Sequence, residues 1–155
     1  MGNRRMILPR LKKITLAKQL VNLTASYPDS QGWIRYRKQL TWWGKIRPSP
    51  LSQMYTVNLT YELGQPPEIW VIGDELERLN DPDFPHKYEV DAEGKKVRLC
   101  LYRYREFDAY KLLSDTIVPW VVEWLYHYEI WLATGEWCGG GEHPLMGNEK
   151  IEDAV

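Results

Sequence analysis

At 155 residues, with 44% hydrophobic and 26% charged side chains, the chain is long enough for one substantial core and too apolar for a disordered segment. Eight tryptophans and ten tyrosines stand beside two phenylalanines, a balance that suits wet core edges and interfaces alike and selects no function. The formal net charge of −1 conceals a split: residues 1–47 carry eleven Lys or Arg and a single acid, Asp29, against nine bases and twenty acids in the remainder. This marks either a basic docking face for an acidic partner or nucleic acid, or a basic element that packs on its own acidic body.

The opening run from Met1 to Met6 is not expected to be a signal peptide, and position 6 lacks the Ser or Thr of a myristoylation signal. Pro9 through about Ser26 reads as a first helix, with Leu11, Ile14, Leu16, Leu20 and Leu23 as its apolar face and Arg10, Lys12, Lys13 and Lys18 on the remaining surface. Tyr27 to Gly32 breaks the chain. An imperfect alternation over Trp33–Leu40, continued to Ile46, suggests extended structure. Met54–Leu63 is a cleaner strand, with Tyr55, Val57, Leu59, Tyr61 and Leu63 on one face. Pro66-Pro67 leads into a short apolar run, Ile69–Ile72. A proline-punctuated stretch, Asp81–His86, and a turn at Asp91–Gly94 precede a last extended piece, Val97–Tyr102, which holds Cys100.

Pro119 suits a helix start, Trp120–Leu132 is apolar nearly all round with Glu123 and His127 as a polar stripe, and Thr134-Gly135 ends it. Glu123, His127 and Glu129 interrupt the apolar run, so no membrane span is expected. The order predicts an α+β fold: an N-terminal helix, a four-stranded antiparallel meander and C-terminal helices, over residues 1–137. Gly139–Gly141 and the acidic residues from Glu149 suggest a flexible tail over 138–155. Two cysteines, Cys100 and Cys138, make no disulfide framework, and a reducing cytoplasm is the expected setting.

Over positions 6–133 the residues resemble the ubiquitin-conjugating-enzyme fold. Trp42-Trp43-Gly44-Lys45-Ile46-Arg47-Pro48 is similar to that family's second-strand signature, and Pro66-Pro67 before Ile69-Trp70-Val71 to its double-proline turn. His86 stands where the family has a histidine upstream of its cysteine, Arg98-Leu99-Cys100-Leu101 resembles the segment presenting the thiol, and Phe107 falls near the following tryptophan. The run from Pro119 through Trp124-Leu125, Tyr128-Glu129, Trp131 and Thr134–Trp137 to Gly139–Gly141 resembles a bacterial branch that accompanies cGAS-like nucleotidyltransferases in CBASS anti-phage operons. The family's His-Pro-Asn is absent: the triplet here is His86-Lys87-Tyr88, so the family's usual oxyanion donor is not assigned.

The resemblance implies Cys100 as a nucleophile that carries a protein C-terminus, that of a cGAS-like nucleotidyltransferase, as a thioester and passes it to an acceptor protein. His86 is implied as a proton acceptor or hydrogen-bond donor, or as a residue that fixes its loop through the backbone. Tyr88 and Tyr102 are candidates for the missing oxyanion donor. Lys95, Lys96, Arg98, Arg103 and Arg105 surround Cys100 in sequence and are expected to favour its thiolate. From its neighbours alone Cys100 also reads as a buried small hydrophobe. Cys138 reads as a surface cysteine or a second acceptor thiol. His127, Cys138 and His143 match no zinc spacing, and neither metal nor cofactor is expected. Arg10, Lys12 and Lys13 are the expected partner-binding residues. The alternative is a non-catalytic adaptor of the same fold. Nucleic-acid binding has no recognised motif behind it, and the acidic remainder opposes it.

Overall fold

The computed structural model describes residues 10–102 and 106–139. Pro9, Arg103, Arg105, Gly140, Gly141, His143 and the residues from Glu149 lie outside them. In chain order the elements are α1 (Leu16–Ser26), β1 (Gln31–Arg35), β2 (Gln39–Ile46), β3 (Tyr55–Glu62), β4 (Glu68–Ile72), β5 (Lys87–Asp91), β6 (Lys96–Leu99) and α2 (Ile117–Thr134). The strands form a single antiparallel sheet in the order β1-β2-β3-β4-β6-β5. The fold is α+β with an antiparallel sheet, as expected. The four-stranded meander is corrected to six strands, and the C-terminal helices to one among the described residues.

Each departure has a local cause. The first helix begins at Leu16 because the Ile14 N–H bonds to the Ala109 carbonyl at 2.8 Å and the Thr15 hydroxyl caps the Lys18 N–H at 3.2 Å. Arg10 to Lys13 therefore form a non-helical lead-in, and Leu11 is exposed rather than on an apolar helix face. The stretch from Trp33 to Ile46 is a hairpin. Tyr36 and Arg37 adopt left-handed backbone (φ 52° and 53°), and the Lys38 N–H closes the turn on the Arg35 carbonyl. The second helix starts two residues before Pro119, and Gly135 (φ 77°) ends it by donating its N–H to the Trp131 carbonyl at 2.7 Å.

The core lies between the inner sheet face and both helices. Trp42, Tyr55, Val57, Leu59, Tyr61, Ile69 and Val71 face inward with alternating burial, while Leu63, beyond the end of β3, is exposed. Gly44 makes room for Trp42, whose indole occupies the space a Cβ would need. Gln19 is a buried polar exception. Its amide donates to the Lys111 carbonyl and accepts from the Leu113 N–H, both at 2.9 Å, and so fastens the 106–116 segment to α1.

The irregular segment between β4 and β5 is held by the aromatic face of α2. Phe84 packs on Trp124, Tyr128 and Trp131, and the Arg78 guanidinium lies 4.3 Å from the Trp131 ring. The Tyr128 hydroxyl accepts from the Glu77 N–H (2.8 Å) and donates to the Glu77 carbonyl (2.6 Å). Tryptophan and tyrosine thus anchor a loop that has no ladder of its own. That anchoring fixes where the chain re-enters the sheet at His86.

Candidate functional site

His86 is 7% exposed and sits in left-handed backbone (φ 53°), a conformation that costs about 1 kcal/mol or more outside glycine. Its carbonyl accepts two hydrogen bonds: from the Cys100 N–H at 3.1 Å and from the Trp124 indole N–H at 2.8 Å. The first extends the β5–β6 ladder one rung past Lys87↔Leu99, and the second ties that rung to α2. The fold thus brings His86 and Cys100 together through backbone across fourteen positions of sequence. The His86 imidazole packs against Trp137 (ring centroids 5.1 Å apart), which also contacts Trp124 and His127.

Cys100 follows the last residue of β6 and is half-buried, a free thiol. Its neighbours Leu99 and Leu101 are buried and partly buried, but Cys100 itself is not sealed in the core. Burial pushes its thiol up, and the Tyr88 phenol opposes that by favouring the thiolate. The Tyr88 phenol is in turn raised, first by burial and then by Cys100, so it remains a protonated donor. The Tyr102 phenol is pushed up to about 12 by burial, with contributions from Tyr61 and Cys100. Its ring packs against Trp120 (5.5 Å) and Phe107 (6.2 Å).

The cations expected to favour the thiolate directly are otherwise engaged where they are described. Arg98 pairs with Glu89 (3.0 Å) and lies 5.0 Å from the Tyr88 ring, and the Lys96 ammonium sits 4.9 Å from the Trp70 ring. Lys95 turns the β5–β6 hairpin in left-handed backbone (φ 50°). Among the described residues the thiol answers to burial and to Tyr88.

A profile of the Type II CBASS E2 protein family matches residues 19–144. The chain belongs to this family. Comparison with curated proteins returns no match. As a Type II CBASS E2 protein it falls within a system of anti-phage signalling, and the matched span contains both the His86–Cys100 rung and the aromatic face of α2.

Arg10, Lys12 and Lys13 of this E2 protein are exposed on the lead-in to α1. None of the ion pairs between described residues includes a cation from positions 10–47. Cys138 is exposed, beside Trp137. Gly139 packs so closely on His127 that an added Cβ would lie 2.7 Å from its ring. Among the described residues no helix is long and apolar enough to cross a membrane.

The sequence did not single out Trp124, Trp137 and Gln19 as supports of the site. The first two carried a signal, since both fall in the C-terminal run that resembles the CBASS branch. Gln19 carried a fainter one, as a lone amide between Leu16, Leu20 and Leu23.

Proposed function

We propose that this E2 protein is an acyl transferase that carries a protein C-terminus as a thioester on Cys100 and passes it to an acceptor. The observation behind this reading is the partly exposed thiol just past the end of β6, fixed by the His86 carbonyl through its own N–H. A carrier thiol has to be reachable by two macromolecules in turn, and a strand end gives access that a core position would not. In this reading His86 is a positioning residue, because its carbonyl accepts the Cys100 N–H. Within the CBASS system the carried protein is a cGAS-like nucleotidyltransferase, and its conjugation regulates signalling output.

Arg10, Lys12 and Lys13 are the docking residues in this proposal. Among the described residues the N-terminal cations pair with no acid, which favours an external acidic partner over packing on the described acidic body. The test is intact-mass spectrometry under non-reducing conditions after co-expression with the proteins encoded beside this one. A thiol-labile adduct that disappears in Cys100→Ala supports the reading. Parent and Cys100→Ala spectra that are the same would end it.

One observation favours a second reading. Burial raises the Cys100 thiol, which suits a structural cysteine in a non-catalytic adaptor. An adaptor would keep phage protection in Cys100→Ala and lose partner binding on charge reversal at Arg10, Lys12 and Lys13.

A further inference from the structure

The pairing of β5 with β6 is not regular. Asp91↔Lys96 and Val90↔Val97 are in register, and the ladder then resumes at Lys87↔Leu99, so Tyr88 and Glu89 together stand opposite Arg98. This is a β-bulge, which re-aims a side chain that strict alternation would send to the other face. Both Tyr88 and Glu89 are exposed in consequence. On β6, Val97 and Leu99 point into the core, so Arg98 and the next alternate residue, Cys100, take the outer side. The Tyr88 ring lies 5.0 Å from the Arg98 guanidinium, and with His86 opposite Cys100 the bulge sets Tyr88 diagonally across the strand pair from the thiol. Arg98 is anchored by Glu89 Oε1 at 3.0 Å and approaches Glu68 Oε2 at 4.0 Å, while Glu68 Oε1 accepts the Trp70 indole N–H at 2.7 Å. A chain of contacts therefore runs along the outer sheet face toward the thiol.

We propose that Tyr88 donates its phenolic hydrogen to the Cys100 sulfur and then to the oxyanion formed in acyl transfer, with Arg98, anchored on Glu89, as the positioning residue. The thiolate half stands by itself. The oxyanion half rests on the reading of Cys100 as an acyl carrier. In that half, Cys100 gives its proton to solvent and the sulfur attacks the carbonyl carbon of an activated acyl donor, a thioester or acyl-adenylate. The S–C bond forms as the π pair moves to oxygen, where the Tyr88 O–H meets it. The pair then returns, the bond to the leaving group breaks, and that group departs as an anion. Tyr102, whose ring packs against Trp120 and Phe107, lies outside the β5–β6 bulge that re-aims Tyr88.

The test uses the full chain with Cys138→Ser, so that iodoacetamide reports Cys100 alone. The pH profile of alkylation is expected to shift upward by about one unit in Tyr88→Phe, the loss of one charge-assisted hydrogen bond to a thiolate. Arg98→Met should shift it the same way by less, and the double variant should shift it no further than Tyr88→Phe, because Arg98 acts through the phenol. An unchanged or lowered profile in Tyr88→Phe overturns the thiolate half. Should that variant not fold, Arg98→Met, which keeps the phenol, decides the thiolate half by the same upward shift or its absence. For the oxyanion half, acylation by a small thioester is measured and divided by the thiolate fraction from the alkylation profile. A residual loss of roughly a hundredfold in Tyr88→Phe is expected, and no residual loss overturns it. Absence of acylation in the parent chain would instead remove the carrier reading and with it the oxyanion half, and the alkylation result would keep its meaning.

Discussion

Trp124→Phe removes one hydrogen bond from the joint that holds the site. The indole N–H lies 2.8 Å from the His86 carbonyl in a buried setting, and that carbonyl keeps the Cys100 N–H as its other partner. The carbonyl is then left with one partner and not stranded, so the expected loss is one net hydrogen bond, about 1 kcal/mol. The smaller ring also loses contact with Phe84, Tyr128 and Trp137, all within 6 Å by ring centroid, which adds about 1–2 kcal/mol. The total of about 2–3 kcal/mol corresponds to a fall in Tm of about 5–10 °C for a chain of this size. Trp131→Phe is the control. It thins the same aromatic stack, against Phe84 and Tyr128, and shrinks the ring under the Arg78 guanidinium, without touching His86. Thermal unfolding followed by circular dichroism should therefore place Trp124→Phe below Trp131→Phe by several degrees, and iodoacetamide should reach Cys100 faster in Trp124→Phe alone. Equal melting temperatures together with equal alkylation rates would refute the claim that the indole N–H secures the His86–Cys100 rung.

Three further outcomes follow from packing and titration. Gln19→Leu leaves the Lys111 carbonyl and the Leu113 N–H without their buried partner, for a loss of about 2–4 kcal/mol in urea unfolding, and earlier proteolysis within 106–116 should accompany it. Gly44→Ala drives a methyl into the Trp42 indole in the middle of β2 and should lower stability by about 1–3 kcal/mol, visible as a lower urea midpoint with an unchanged slope. Alkaline pH should unfold the protein cooperatively. Cys100, Tyr55, Tyr88, Tyr102 and Tyr128 are all raised above their ordinary values of 9.0 and 10.0, mainly by burial, with Tyr102 and Tyr128 at about 12. The folded state then holds protons that the unfolded chain releases, so stability is full below pH 9 and falls as pH climbs from there toward 12. Phenolate absorbance that rises in step with loss of ellipticity is the expected signature, and a gradual titration near pH 10 with ellipticity intact would contradict it.

How far the sequence could be read depended on how strictly each element obeyed its period. β3 is strictly alternating from Tyr55 to Tyr61 and was legible almost to the residue. Likewise the end of α2 was fixed by Gly135. The β1–β2 turn was not legible, since Tyr36-Arg37-Lys38 contains none of the residues that ordinarily adopt left-handed backbone, and register with β2 imposes it. β5 was missed for a related reason. Lys87-Tyr88-Glu89-Val90-Asp91 is charged, lies at the sheet edge and is bulged, so its alternation is broken where Tyr88 is re-aimed. Pro9 outweighed Thr15 as a start signal, although the cap at Thr15 and the long-range bond from Ile14 set the boundary. At the site, the strand-end position of Cys100 and the upstream place of His86 could be read. The manner of their meeting could not, because it runs through a backbone carbonyl that no side-chain pattern encodes.

Peptide mapping of the adduct tests the central claim most directly. The chain is co-expressed with the proteins encoded beside it, digested without reductant and sequenced by tandem mass spectrometry. The account predicts that Cys100 bears a C-terminal peptide of another protein through a bond that thiols cleave, and that Cys138→Ser leaves this unchanged. An adduct found on Cys138 instead, or one that persists in Cys100→Ala, would contradict it.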